Sequence, residues 1–216
     1  MRIVAGAWRG RMLVAPPGTA TRPTADRVRQ ALFDMLMHAE WGGRAVIEGA
    51  AVLDVFAGTG ALGLEALSRG AASACFIEND PAALKALRAN VAACRAADRV
   101  EILAGDVFRL GDARALRSHG LAGFGRSRLA ADIAPNAATG EGTGGVGPVS
   151  LVFLDPPYGQ LFVPRAIAHL RDRGRIRSGA LIVAETGRDE TWVPEQPLLA
   201  ERQHGAARVL IFRLSP

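Results

Sequence analysis

The feature that most constrains this chain is a short apolar run, Ala51-Val-Leu-Asp-Val-Phe56, that passes directly into Ala57-Gly58-Thr59-Gly60-Ala61-Leu62-Gly63. Six such residues suit a buried strand. The glycines that follow permit a tight turn, bare backbone facing a ligand, and close packing of the next helix. Residues 61–68 then keep helical spacing, and the strand, turn, helix order recurs along the chain. Residues 74–77 read as a second strand, and Pro81 sits well at the first position of a helix running to Cys94. Further strands are expected at 100–103, 151–154 and 180–184, with a helix at 163–170. Uniformly apolar strands alternating with helices imply a mostly parallel sheet covered on both faces. The end differs, because 198–203 and 207–214 bracket His204-Gly205 in the manner of an antiparallel hairpin.

The first 45 residues read as an appendage, and 46–216 as the main domain. Residues 3–14 alternate loosely around Gly6 and Gly10, which suggests a short hairpin or extended arm, broken by Pro16, Pro17 and Gly18. Thr24 is the expected N-cap of a helix carrying Val28, Leu32, Met35, Leu36 and Ala39, ended by Gly42 and Gly43. Residues 119–149, dominated by Gly, Ala, Ser and Asn without any sustained period, read as a flexible insertion between the third and fourth strands.

No apolar run approaches the ~18–20 residues a membrane span needs, and the N-terminus lacks a signal-peptide core. The expectation is no membrane. Cys75 and Cys94 fit no metal-ligand spacing and read as reduced thiols in a cytoplasmic protein without a metal. A net charge of +5 allows a polyanionic partner, and its distribution says more than its size. Arg2, Arg9, Arg11, Arg22, Arg27 and Arg29 crowd the first thirty residues against one acid, Asp26, a footprint that suits nucleic acid. Lys85 is the only lysine, so a bias toward arginine contributes to the charge.

Gly58-x-Gly60-x-x-Gly63 with Glu78 twenty residues on would also pass as a nicotinamide dinucleotide fingerprint. Two features oppose that. Asp54 lies beside the turn, where a pyrophosphate would be repelled and an ammonium welcomed. Asp106, after the third strand, can accept from an adenine amino group, and the Val107 N–H can serve the ring nitrogen. With Glu78 for the ribose hydroxyls, one acid at each strand end fits S-adenosylmethionine, which carries cations and no phosphate. Phe56 and Asn79 border the same expected site.

Leu151-Val-Phe-Leu-Asp155-Pro156-Pro157-Tyr158 carries the most specific chemistry. Two prolines, with fixed φ and no N–H, hold a stiff extended turn at the end of a buried strand. An exocyclic amine is a poor nucleophile because its lone pair is delocalised, so its methylation needs preorganised acceptors. The Asp155 carboxylate and the Pro156 carbonyl can each take one amine N–H, and Tyr158 can stack on the base. The target must be unstacked or flipped to be reached. Glu185 could line the base site or stand as a solvated strand-end charge.

These motifs resemble a known family, the small-subunit (16S) ribosomal RNA guanine-N2 methyltransferases. The resemblance rests on Arg2-Ile-Val-Ala-Gly-Ala-Trp-Arg-Gly-Arg11, Arg22-Pro-Thr-Ala-Asp-Arg-Val-Arg29, Phe56 to Gly70 and Asp155 to Gly159, together with the terminal hairpin. It implies a class I, Rossmann-like α/β fold with a seven-stranded sheet and closing antiparallel hairpin. It also implies S-adenosylmethionine as donor, and 16S ribosomal RNA in the 30S subunit as partner of a monomeric enzyme. Asp54, Gly58, Gly60, Glu78 and Asp106 would bind the donor, with Thr24 and Arg27 near its amino-acid end. Asp155, Pro156, Pro157 and Tyr158 would hold the guanine. Arg2, Trp8, Arg9 and Arg11 of the arm would face RNA. The Asp-Pro-Pro-Tyr turn is shared with DNA adenine-N6 methyltransferases, against which stands the lack of an obvious target-recognition domain. A catalytically idle RNA-binding assembly factor would be favoured had Asp155 or Gly60 been lost.

Overall fold

A computed structural model describes residues 1–16, 23–110 and 148–215. The stretch read as an insertion, 119–149, lies outside the described residues except for its last two positions. Seven strands form one sheet: β1 (Ala51–Val55), β2 (Ser73–Glu78), β3 (Val100–Ala104), β4 (Val149–Leu154), β5 (Ile176–Gly187), β6 (Leu198–His204) and β7 (Ala207–Arg213). Their order is β3-β2-β1-β4-β5-β7-β6. Every pairing from β3 to β5 is parallel, and β7 runs antiparallel to both neighbours. The sheet is that of a class I methyltransferase, with its closing hairpin at Gly205.

Strand order reverses between β1 and β4. The chain steps outward from β1 through β2 to β3, then returns to place β4 on the other side of β1. Open parallel sheets bind ligands at such a switch point, outside the carboxyl ends of the strands. Helices α2 (Ala61–Ser68), α3 (Pro81–Ala93) and α4 (Phe162–Asp172) are the described connections. Asp80 caps α3 by accepting from the Ala83 N–H at 2.7 Å, with Pro81 at the first helical position.

The period of two along each strand divides the core. Val52, Phe76, Leu151, Phe153 and Val183 face one side, packed with Leu64 and Leu87 of α2 and α3. Leu53, Val55, Ile77, Val152 and Leu154 face the other, against Val163, Ile167 and Leu170 of α4. The N-terminal arm and α1 (Pro23–His38) join the first layer through Ile3, Leu13, Phe33 and Leu36, all buried. Helix α1 begins at Pro23, not after Thr24, because proline's fixed φ suits a first helical turn.

The arm is a hairpin, with an antiparallel bridge between Arg2 and Met12 and a bond from the Ile3 N–H to the Arg11 carbonyl at 2.9 Å. It docks on α2. The fully buried Glu65 carboxylate accepts from the Val4 and Ala5 N–H groups at 2.7 and 3.0 Å. Ser68 Oγ accepts from the Trp8 N–H and donates to the Ala5 carbonyl. Gly6, at φ 81°, lies so close that a Cβ there would stand 1.9 Å from the Ser68 carbonyl oxygen.

Candidate active site

The same period of two places four carboxylates on one face. Asp54 shares parity with Val52, Glu78 with Phe76, Asp155 with Phe153 and Glu185 with Val183. Asp54 pairs with Phe76 and Phe153 across the sheet. Val55 pairs with Ile77 and Leu154, and Leu154 with Ala184. One step further on, therefore, Glu78, Phe56, Asp155 and Glu185 stand in a row at the carboxyl ends of β2, β1, β4 and β5. The first three border an open cleft of about 410 Å³ lined by Phe56, Glu78, Asn79, Asp80 and Asp155 to Tyr158, with Glu185 next to Asp155 on β5.

Asp54 sits below this row, fully buried. Its Oδ2 accepts from the Gly63 N–H at 2.8 Å, which ties the strand to the first turns of α2. Gly63 is required by that approach, since a Cβ would lie 2.4 Å from the Phe76 ring. Burial pushes the Asp54 carboxyl up to about 8, opposed by the Gly63 bond and reinforced by the charges of Asp155 and Glu78. The sequence places Asp54 beside the turn, and the structure adds that it is buried there. It props the turn from beneath, because its position in β1 faces α2.

Glu78 holds the loop from the other side. Its Oε2 accepts from the Gly58 N–H at 2.7 Å, and its Oε1 from the Asn79 and Asp80 N–H groups at 2.8 Å each. Capping of α3 falls to Asp80, so Glu78 organises the cleft edge. The turn itself is wound by Phe56, Gly58 and Gly60, all at positive φ. Asp106 follows β3, accepts from the Phe108 N–H at 2.9 Å, and stands beside the buried Val107. Phe56 and Phe108 both pack on Phe162 of α4, and Arg165 lies over the Phe108 and Phe162 rings. This aromatic wall was not foreseen, since nothing local marks Phe162 as a neighbour of Phe56.

The Asp155 turn is braced from β5. The Tyr158 hydroxyl donates to Glu185 Oε1. Glu190 Oε1 accepts from the Gly159 N–H at 2.7 Å and the Gly187 N–H at 3.2 Å. Glu185 is therefore partnered through Tyr158 and is not a free strand-end charge. Glu190 gave no signal in the sequence, because it lies thirty-one residues from the backbone it secures. Asp155 opens into the cleft, yet the surrounding protein thins the water about its carboxyl. That desolvation, and next the Glu185 charge, push it up to about 7. Burial first, then the bond to Glu185, push the Tyr158 hydroxyl upward as well.

The arginine cluster divides. Arg2, Arg9, Arg11 and Arg27 are exposed. Arg29 is buried, bonding Asp26 at 2.9 Å and lying 3.6 Å from Glu65, and it also donates to the Arg2 carbonyl. It belongs to the docking of the arm, not to an open basic surface. Arg69 completes the network, 2.8 Å from Glu65 and 3.5 Å from Asp34. Arg11 also reaches the Ala93 carbonyl. Trp8 is half-buried against the core, with Arg99 over its ring at 5.2 Å, so its packing role is plain. Thr24 and Arg27 fall in the first turns of α1.

The family described as conserved hypothetical protein 95 matches residues 1–120. The chain is 37% identical to the ribosomal RNA small subunit methyltransferase D of Escherichia coli K12 over 186 residues, 86% of this chain and 74% of that protein. The chain belongs to this family. A relative of the same name from Haemophilus influenzae is 29% identical over 99% of this chain and 93% of its own length. The solved structure of yhhF from Escherichia coli superposes with a TM-score of 0.70 at 31% identity, covering 100% of this chain and 98% of the other. The family match reaches from the arm through the glycine turn to β3, and the longer alignments carry the likeness into the Asp155 half of the sheet.

Proposed function

We propose that this chain transfers a methyl group from S-adenosylmethionine to the exocyclic N2 amine of a guanine in small-subunit ribosomal RNA, with the 30S particle as substrate. The observation that carries the reading is the Asp155-Pro-Pro-Tyr158 turn, fixed at the end of β4 beside a glycine turn held by two carboxylates. The cleft suits the donor. Among the described residues its lining includes Glu78, Asp80 and Asp155 and no Arg or Lys, so that lining favours a cation and repels a pyrophosphate. Bound there, S-adenosylmethionine supplies an electrophilic methyl on a sulfonium centre, the bonding pair leaving with the sulfur.

The chain's own residues do the rest. Glu78, with Asn79 at its side, is placed for the ribose hydroxyls, Asp106 and Val107 for the adenine edge, and Gly58 and Gly60 for close backbone approach. Asp54 lies beneath the donor's amino-acid end, toward which Thr24 and Arg27 of α1 are assigned, and the donor's ammonium would draw its raised carboxyl toward the charged form. Asp155 and the Pro156 carbonyl each accept one N–H of the amine, which leaves the nitrogen lone pair facing the methyl. After transfer the nitrogen sheds one proton, and Asp155, pushed up to about 7, can hold it before water does. Pro157 keeps the turn stiff, and Tyr158 offers its ring to the base. Residues 1–45 form the RNA-facing part, with Arg2, Arg9 and Arg11 as phosphate contacts and Trp8 packed behind them.

Incubation with methyl-labelled donor and, separately, small subunits, free ribosomal RNA and duplex DNA tests the reading. Nucleoside digestion should yield N2-methylguanosine from the small subunits. N6-methyladenine from DNA, or label on another base, would overturn it.

A further inference from the structure

Guanine and adenine both offer an exocyclic amine, but they differ in the ring atom beside it. Guanine presents the N1–H donor next to N2, whereas adenine presents the N1 lone pair next to N6. An enzyme holding either amine on Asp155 therefore needs a second group that reads the neighbouring position. We propose that Glu185 is that specificity-determining residue, its free carboxylate oxygen accepting the N1–H of guanine while Asp155 takes the amine. The inference rests on the function proposed above.

Three observations carry it. Leu154 pairs with Ala184, so Asp155 and Glu185 are the next residues on adjacent parallel strands and project from the same face. Neighbouring strands lie about 4.8 Å apart, a span that sets two carboxylates side by side along one base edge. Glu185 is also fixed. The Tyr158 hydroxyl donates to its Oε1, and among the described residues no hydrogen bond engages its Oε2. Finally, Glu185 is close enough for its charge to act on Asp155. A carboxylate held there meets a donor with a charge-assisted bond and meets a lone pair with repulsion. Tyr158 thus has a second duty besides offering its ring, because its hydroxyl aims the group that discriminates.

The discriminating substrate is 2-aminopurine, which keeps the C2 amine but carries a lone pair at N1. The modified guanine is first mapped in small-subunit RNA by digestion. That RNA is then rebuilt with guanosine or 2-aminopurine riboside at the mapped position and assembled into subunits, and kcat/KM is measured on each. Wild type should prefer guanine by about 10²-fold or more, as sites built to pair a substrate N–H reject analogues that lack it. Glu185→Gln, whose amide can accept or donate, should narrow that ratio by at least tenfold. Donor binding by calorimetry confirms that the variant is folded. Equal use of both bases by wild type overturns the inference without recourse to any variant. A Glu185→Gln protein slowed equally on both would also overturn it, leaving Glu185 as a brace for Tyr158. Absence of N2-methylguanosine from wild type on the guanosine substrate is a different failure, which removes the proposed function and this inference with it.

Discussion

Two aspartates of the candidate site make opposite use of being pushed upward. In the proposed mechanism Asp155 accepts the amine protons, so its carboxylate form is the productive one. With the group near 7 in the free protein, kcat/KM should rise with pH through that region and level off above it. Glu185→Gln removes a neighbouring charge and should carry the acid limb to lower pH by up to about one unit. A pH–rate profile with an unmoved limb would take Glu185 out of the electrostatics of the site. Asp54 bears on stability instead. Its carboxyl is raised on folding, so its contribution is fully present below the ordinary carboxylate range and is lost as pH rises through about 8. Asp54→Asn keeps an oxygen for the Gly63 N–H and cannot ionise. It should gain about 1 kcal/mol or more at pH 9, or ~2–4 °C in Tm, and less at pH 5. The same variant should bind S-adenosylmethionine more weakly, as calorimetry would register. A melting gain independent of pH would show that folding leaves the Asp54 carboxyl at its ordinary value.

At the scale of elements, the N-terminal hairpin depends on one helix. Glu65 of α2 accepts two N–H groups from the arm and faces Arg29 and Arg69, all in the interior. Removing one member of such a network leaves buried charge without compensation, a loss of about 3–5 kcal/mol. Glu65→Ala should accordingly lower the melting temperature and speed hydrogen exchange across residues 1–16. Glu65→Gln, which retains an acceptor, should fall between it and wild type. Protection in the arm unchanged by Glu65→Ala would mean that Ile3 and Leu13 suffice to hold it. On the opposite side of the arm, Asn90 of α3 bonds the Val14 N–H and carbonyl and the Thr59 carbonyl of the glycine turn. The arm and the cofactor turn are therefore anchored by one buried side chain.

At the scale of the whole molecule, the acids of the cleft and the exposed arginines of the arm belong to different surfaces. Acids line the cleft at the strand ends, and exposed arginines mark the arm. If Arg2, Arg9 and Arg11 contact phosphate, replacing all three by alanine should make the dependence of log K on log [salt] shallower by up to about 2–3 for small-subunit binding. Donor affinity should stay as it was, because none of the three lines the cleft. A slope equal to that of wild type would move the RNA-binding face elsewhere. Arg29 is left out of the variant deliberately, since its loss would unfasten the arm and not test the surface.

Local pattern was enough for the elements. Apolar runs of strand length, Pro81 at a helix start, the glycine turn and the closing hairpin each announce themselves over a few residues, because their causes are steric and local. The Asp155-Pro-Pro-Tyr158 turn was legible for the same reason. So were the strand-end positions of Glu78 and Asp106, since a strand end is recognisable wherever the strand is. What the sequence could not decide was partnership. Arg29 looks like its exposed neighbours until Glu65, thirty-six residues away, is folded against it, and Glu185 looks like surface until Tyr158 reaches it. Register across β4 and β5 puts Glu185 level with Asp155, and only the assembled sheet creates that register. Burial, ion pairing and the aim of a carboxylate depend on which distant segments share a space, so tertiary structure alone distinguishes an arginine left exposed from one that braces.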